Sequence, residues 1–322
     1  MSLHMKMGLL LAALFAVIYT VVTLIGVSMG IHDFYFYLFV SLAIMGVQYM
    51  IGPKIVEWTM GVRYLAPNEH PELQRTVADL AQRAGLPAPK IGISDTRLPN
   101  AFAFGRGHRD GRVCVTRGIL ELLDPDELKA VIGHELSHIK NRDVLTITLL
   151  SVIPMILYRV AWHFMWFGGG SGRRRDSEGA PSAALIGLAA FLFYFLTNLL
   201  VLYASRIREY FADRGSVALG NPPAALASAL YKLVYGSARM NKDALKDVEG
   251  IKAFFVNDPS QAMNELRDLK QLDLDRSGTI DPGELETLRH KAVRLSVGDH
   301  LLEMLSTHPN MLKRISALSK QP

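Results

Sequence analysis

Cysteine is almost missing from this chain. Cys114 is the only one in 322 residues, so no intrachain disulfide can staple the fold and nothing demands an oxidising compartment. It sits in the alternating run Arg112-Val113-Cys114-Val115-Thr116 and reads as a small core residue. No basic run is interleaved with aromatics, and the formal charge of +5 is spread along the chain, which argues against a nucleic-acid partner. There is no internal repeat and no long disordered linker. Charge is also thin. Charged residues make up 20% of the chain and hydrophobic residues 50%, with a positive mean hydropathy of +0.19. That balance is too apolar for an ordinary soluble protein, unless the apolar residues are gathered into membrane spans and the rest builds a soluble domain.

Four segments are long and apolar enough for that purpose. Residues 7–29 and 34–51 contain no charged side chain, 144–167 carries Arg159 and His163, and 183–204 carries only Asn198 as a strongly polar group. The first is too long for the apolar core of a signal peptide and no small-residue cleavage pattern follows it, so it reads as an anchor that stays. The alternative for the last two is a buried helical hairpin in a soluble core. The expected organisation is two transmembrane helices in 1–51 and a first part of a catalytic domain in 52–143. A hairpin in 144–204, spanning or partly inserted, follows, and a second catalytic part fills 205–322. Near the span ends, the side shared by the two soluble parts carries Lys54, Arg63, Lys140, Arg142, Arg206, Arg208 and Arg214. The other side has Arg173, Arg174 and Arg175, partly offset by Asp176 and Glu178. Positive-inside counting places the soluble parts in the cytoplasm and the protein in the cytoplasmic membrane as a multi-pass protein.

The first soluble part predicts a helix over 71–84 closed by Gly85 and Pro87, a strand over 90–94, and a pair of strands, 100–104 and 112–116, joined by a glycine-rich turn. Asp124, Pro125 and Glu127 form the opening of a further helix, with Asp124 as N-cap and Glu127 completing a capping box. That helix is expected to reach Arg142.

It contains His134-Glu135-Leu136-Ser137-His138. Histidines four apart lie one above the other on one helix face and can put two imidazole nitrogens around one metal ion. Glu135 is turned about a hundred degrees from His134, beside the metal without coordinating it, where it can act as base towards a zinc-bound water. A catalytic zinc site takes a third protein ligand. Glu209, in Arg208-Glu209-Tyr210-Phe211-Ala212-Asp213, follows the fourth span as closely as His138 precedes the third, so a membrane hairpin returns it to the same side. Asp213, one turn on, is placed to accept the free N–H of a ligating histidine. The bland alternative for Glu209 is one member of a charged cap with Arg206, Arg208 and Arg214.

Four stretches together resemble the HtpX family of membrane proteases, relatives of the CAAX prenyl proteases. They are Leu98-Pro-Asn-Ala-Phe-Ala-Phe-Gly105, the helix from Glu127 to His138, Glu209 to Asp213, and Thr307-His308-Pro309 with Arg314. The resemblance implies a zinc-dependent endopeptidase of the cytoplasmic membrane whose substrates are polypeptides, above all misfolded membrane proteins. It further implies that Asn100, Ala101 and Phe102 hold the substrate backbone as an added edge strand, and that His308 and Arg314 steady the developing oxyanion. By spacing alone, Asn100 is a turn residue after Pro99, and Arg314 is the solvated face of a terminal helix. The expected fold class is mainly α with a small β-sheet: a multi-span helical membrane protein carrying a zincin-like (gluzincin) catalytic domain.

One departure from the family pattern lies between Phe254-Phe255-Val256-Asn257-Asp258-Pro259 and Thr307, where the interval is unusually long. An insertion near 260–300 contains Asp273-Leu-Asp-Arg-Ser-Gly-Thr-Ile-Asp-Pro-Gly-Glu284. This matches a calcium loop, with Asp273, Asp275, Ser277, the Thr279 carbonyl, Asp281 and Glu284 at the ligand positions and Gly278 at the turn. The alternative is an acidic connector. Two rival functions remain in view: an intramembrane protease, which the charged flanks of the histidine helix oppose, and an inactive relative that binds partners or senses calcium.

Overall fold

The computed structural model describes residues 34–143, 183–238, 277–289 and 303–321, with 146, 154, 157–158, 161, 265–266, 269 and 272–275. The span expected at 7–29, nearly all of that at 144–167, the arginines 173–175 and the stretch 254–259 lie outside the described residues. In chain order the elements are α1 (Phe34–Thr59), β1 (Arg63–Tyr64), α2 (Pro71–Ala84), β2 (Lys90–Ser94), β3 (Ala101–Phe104) and β4 (Arg112–Thr116). Then come α3 (Arg117–Leu122), α4 (Pro125–Lys140), α5 (Ala183–Ala218), α6 (Pro223–Ala238), α7 (Pro282–Arg289) and α8 (Met311–Leu318). The chain is mostly helical with one small mixed sheet.

Two compact units divide it: Met1–Met50 with Leu145–Ala204, and Ile51–Val144 with Ser205–Pro322. Among the described residues, one helix is long and apolar enough to cross a bilayer, over Leu185–Ala218 with a hydropathy of 2.3. Its exposed apolar side chains include Leu185, Leu188, the pair Phe191 and Leu192, and the pair Phe195 and Leu196, which recur at steps of three or four positions, so they form one outward stripe of the helix. The helix α1 runs eight residues beyond the expected end at Ile51, through Pro53 to Thr59.

The second unit is built around α4 and the sheet. The order is β1-β2-β4-β3, with β2 parallel to β4 and β3 antiparallel to β4 at one edge. The two-residue strand β1 on the other edge has no signal in the sequence. The alternation expected in 112–116 survives as a division between two cores. Val113 and Val115 face the main core with Ala101, while Cys114 faces a smaller one with Phe102, Phe104, Val56 and Met60. Every residue of β4 is buried because it is a central strand covered on both faces.

Local chemistry explains the helices. In α2, Leu73, Val77 and Leu80 face the core, and Gly85 closes the helix in the left-handed conformation at φ 70°. In α4 the capping box is complete: Asp124 accepts the Glu127 N–H and the Glu127 carboxylate accepts the Asp124 N–H, each at 3.0 Å. Glu127 then reaches Ser228 at 2.6 Å and Lys232 at 2.7 Å, which ties the start of α4 to α6. The helix stops at Lys140 rather than Arg142. Asn141 ends it, and Arg142 takes a left-handed φ of 55° that turns Asp143 back towards the helix.

Candidate metal centre

The close crossing of α4 with the last turns of α5 sets the site. A methyl group at Gly133 would lie 2.3 Å from Asn221 Nδ2 and 2.9 Å from Ser216 Oγ, and one at Gly215 would lie 2.1 Å from Ser137 Oγ. Side chains are therefore excluded at both glycines, and Ser216 Oγ donates across the crossing to the Ala130 carbonyl at 2.6 Å. A glycine inside a helix costs about 1 kcal/mol against alanine, and here it permits backbone approach. Two and six residues before Gly215 on α5, Asp213 and Glu209 face the two histidines of α4.

His134 Nε2 lies 3.4 Å and His138 Nε2 3.5 Å from the Glu209 carboxylate, and the two Nε2 atoms are 3.1 Å apart. One atom from each of these three residues falls within 4.8 Å of the others. Each histidine has its other nitrogen on its own carboxylate: His134 Nδ1 is 2.9 Å from Asp213 and His138 Nδ1 is 2.5 Å from Asp143. Each carboxylate in turn has its own arginine. Arg314 grips Asp213 through Nε at 3.0 Å and Nη2 at 2.6 Å, and Arg208 Nε is 2.9 Å from Asp143. A carboxylate only accepts, so both Nδ1 atoms carry their protons. Both Nε2 atoms then turn lone pairs on each other and on Glu209, an arrangement that is repulsive unless a cation lies between them.

The residues present thus fit a metal ion. Without one, a proton must take its place. Burial disfavours a charged His134, but the hydrogen bonds to Asp213 and Glu209 outweigh burial and hold its pKa up at about 10.

Glu135 is 4% exposed, and its Oε2 accepts the N–H of Ala103 at 2.7 Å. Burial pushes its carboxyl above the ordinary value, against the pull of the nearby histidines. Because β3 pairs with β4 on one side only, the Ala103 N–H points from the free edge of the sheet towards α4. Asn100 is fully buried, with its backbone N–H and carbonyl both engaged by Thr116, and Ala101 and Phe102 are buried with it. Arg314 is fully buried, not solvated, and its Nη1 also lies 3.1 Å from Glu209. His308 Nδ1 is 3.6 Å from Glu209, and neither ring nitrogen has a hydrogen bond. The centre thus gathers His134, His138, Glu209, Asp213, Arg314 and His308, with Glu135 beside it. Sequence reasoning missed Asp143, Arg208, Gly133, Gly215 and Ala103. Only the two helical glycines left a signal that could have been read.

Residues 67–321 match the model of peptidase family M48. The chain belongs to that family. Among curated M48-type relatives, it is 48% identical over 233 residues to a protease HtpX homolog of Methanothermobacter thermautotrophicus, covering 72% of this chain and 86% of that one. It is 35% identical over 312 residues to a protease HtpX homolog of Moorella thermoacetica, covering 97% and 90%. Among solved structures, the Ste24p of S. mikatae shares the fold with a TM-score of 0.50 at 18% identity, covering 97% of this chain and 64% of that one. As an M48 peptidase of the HtpX type, the chain is a metalloprotease, a hydrolase whose family acts on polypeptides.

Proposed function

We propose that the chain is a zinc-dependent endopeptidase, anchored in a membrane, that cleaves polypeptides with His134, His138 and Glu209 as the metal ligands and Glu135 as the base. The observation that carries this reading is the pair of Nε2 atoms facing each other at 3.1 Å, with Glu209 at 3.4 and 3.5 Å. Donors bound tetrahedrally to zinc at about 2.0–2.1 Å are about 3.3–3.4 Å apart, so the spacing and the two-nitrogen, one-oxygen donor set suit that ion. When bound, zinc supplies Lewis acidity that makes a water nucleophilic near neutral pH and polarises the scissile carbonyl.

The chain's own residues do the rest. Glu135, with its carboxyl pKa raised by burial, accepts the proton of the attacking water and delivers it to the departing amine. A substrate backbone lies along the free edge of β3 as an added strand, next to the Ala103 N–H that now meets Glu135. Asn100 supports that strand from within, through its ladder to Thr116. His308, whose nitrogens are uncommitted, donates to the developing oxyanion. Arg314 acts as a positioning residue, since it is spent on Asp213 and Glu209. The outward apolar stripe of α5 favours membrane proteins as substrates and the bilayer as surroundings. The charge distribution favours a catalytic unit in the cytoplasm, and quality control of misfolded membrane proteins is the role that fits.

The test is cleavage of an unfolded substrate by the detergent-solubilised protein, with zinc content measured in parallel. Glu135→Gln should keep one zinc per chain and lose nearly all activity, by about a thousandfold or more. His134→Ala, His138→Ala and Glu209→Ala should lose the zinc itself. Full zinc and undiminished cleavage in Glu209→Ala would overturn the ligand assignment.

A further inference from the structure

Residues 273–284 take no part in that centre, yet they bring three carboxylates together. One oxygen from each of Asp273, Asp275 and Glu284 lies within 4.8 Å of the others. Clustered acids alone make no cation site, but Asp273 adds a second observation. Its side chain is buried, with the residue 8% exposed. Its Oδ2 accepts the Gly278 N–H and the Tyr231 hydroxyl, both at 3.0 Å, while Oδ1 is buried with no hydrogen-bond partner. A buried anionic oxygen without a donor costs on the order of 1–3 kcal/mol or more, unless a cation supplies the missing partner.

The order of residues around that oxygen agrees with a cation. A calcium loop of the EF-hand type takes ligands at positions 1, 3, 5, 7, 9 and 12, with glycine at 6. Counted from Asp273, Gly278 is sixth and adopts the left-handed φ of 82° that the sharp turn requires. Ile280 is eighth and is 2% exposed, packed in the main core. Glu284 is twelfth and buried, and its two oxygens accept the N–H groups of Leu274 at 2.6 Å and Asp281 at 3.1 Å, which closes the loop on itself. Leu266, Leu269 and Leu272 before the loop and Leu285 and Leu288 after it are all buried, as the flanking helices of such a loop would be.

We propose that residues 273–284 bind one calcium ion through Asp273, Asp275, Ser277, the Thr279 carbonyl, Asp281 by way of a water, and Glu284. The donors are all hard oxygens, and no histidine or cysteine stands among them, so a transition metal is disfavoured. Calcium accepts six to eight oxygens in a flexible shell, whereas magnesium demands a strict octahedron. The ion has a structural consequence. Tyr231 ties the loop to α6, and α7, which begins within the loop, packs against α6 and α8. Helix α8 carries Arg314, so calcium braces the segment that holds Asp213 and Glu209 in place.

The experiment uses the full-length protein in detergent, with zinc retained and calcium removed on a calcium-binding resin. Calcium is titrated by calorimetry, and terbium is titrated as a luminescent substitute excited through tyrosine, since Tyr231 touches the site. The wild type should bind one calcium per chain, and calcium should displace terbium and raise the melting temperature. Asp273→Asn with Glu284→Gln should abolish both signals. Because those two residues also hold the loop's own N–H groups, the deciding variant is Asp275→Asn at an exposed position. It should keep its calcium-free melting temperature and weaken calcium binding by about tenfold or more through the lost ligand charge. The proposal is overturned by flat calcium and terbium titrations of the wild type up to about 1 mM, or by Asp275→Asn titrating like the wild type. Equal affinity for magnesium would overturn the choice of ion.

Discussion

His134 is held in a network that includes Arg314, 180 positions away in the chain, whereas Glu284 at the end of the calcium loop is held by Leu274, 10 positions away. Both places gather side chains suited to a cation, but by opposite means. At the first, α4, α5 and α8 each contribute, two of the donors are nitrogen, and His134 and His138 are each oriented by an aspartate that is itself held by an arginine. At the second, one short stretch supplies all the donors, and its own backbone N–H groups pre-arrange the carboxylates. The difference teaches where precision comes from. A hydrolytic centre needs ligands fixed to a fraction of an ångström, which rigid helices and outer partners can enforce. A flexible shell of oxygens needs only a loop of the right length.

The sharpest way to break this comparison is to remove the outer carboxylates. Asp213→Ala takes one of two carboxylate partners from Arg314, which is fully buried and keeps Glu209, and leaves His134 Nδ1 without its acceptor. We expect a loss of about 3–5 kcal/mol in stability and about 10–100-fold in zinc affinity, measured by denaturant unfolding and zinc competition. Asp143→Ala should cost less, about tenfold in affinity, because its partners His138 and Arg208 have side chains 14% and 12% exposed and can recruit water. Calcium titrations of both variants should match the wild type. Equal losses in the two variants would show that burial does not separate the two halves of the centre.

A smaller effect is expected from Gly215→Ala. The added methyl would lie 2.1 Å from Ser137 Oγ and 2.6 Å from its Cβ, so α4 and α5 must move apart. Overpacking of this kind costs about 1–3 kcal/mol, and zinc should be held more weakly while the loop at 273–284 is unaffected. Adding Ser137→Gly should restore zinc affinity. A double variant no better than the single one would mean that another contact sets the crossing.

The last effect, counted per pH unit, is one of pH. The folded pKa of His134 in the metal-free protein is raised to about 10, above its value of about 6.5 in an unfolded chain. Its contribution to metal-free stability is therefore fully present below about pH 6.5 and lost as the pH rises to about 10. Zinc must displace that proton, so its apparent affinity should rise by up to about tenfold per pH unit between these limits. Calcium affinity should stay flat over the same range, because no imidazole proton is displaced. A flat zinc profile would mean that the centre holds no proton when the metal is absent.

What the amino-acid sequence determined by itself is local. Helix α2 and its Gly85 ending, the capping box of α4, the pairing of β3 with β4 and the alignment of His134 with His138 all depend on residues near one another in the chain, the β3 and β4 partners being the most distant. Periodicity and capping chemistry act over that range. Glu209 and Asp213 were legible only through the expectation of a membrane hairpin over 144–204, whose first arm lies almost wholly outside the described residues. The tertiary structure alone decided the rest. The turn at Arg142 sends Asp143 onto His138, α5 brings Arg208 to that aspartate, and α8 buries Arg314 between Asp213 and Glu209. In the sequence these residues look like the charged flank of a membrane helix and the wet face of a terminal one. Whether such a charge meets solvent or a buried partner is set by how closely two helices cross, and that distance is fixed by Gly133 and Gly215 on different helices, not by the residues beside each charge.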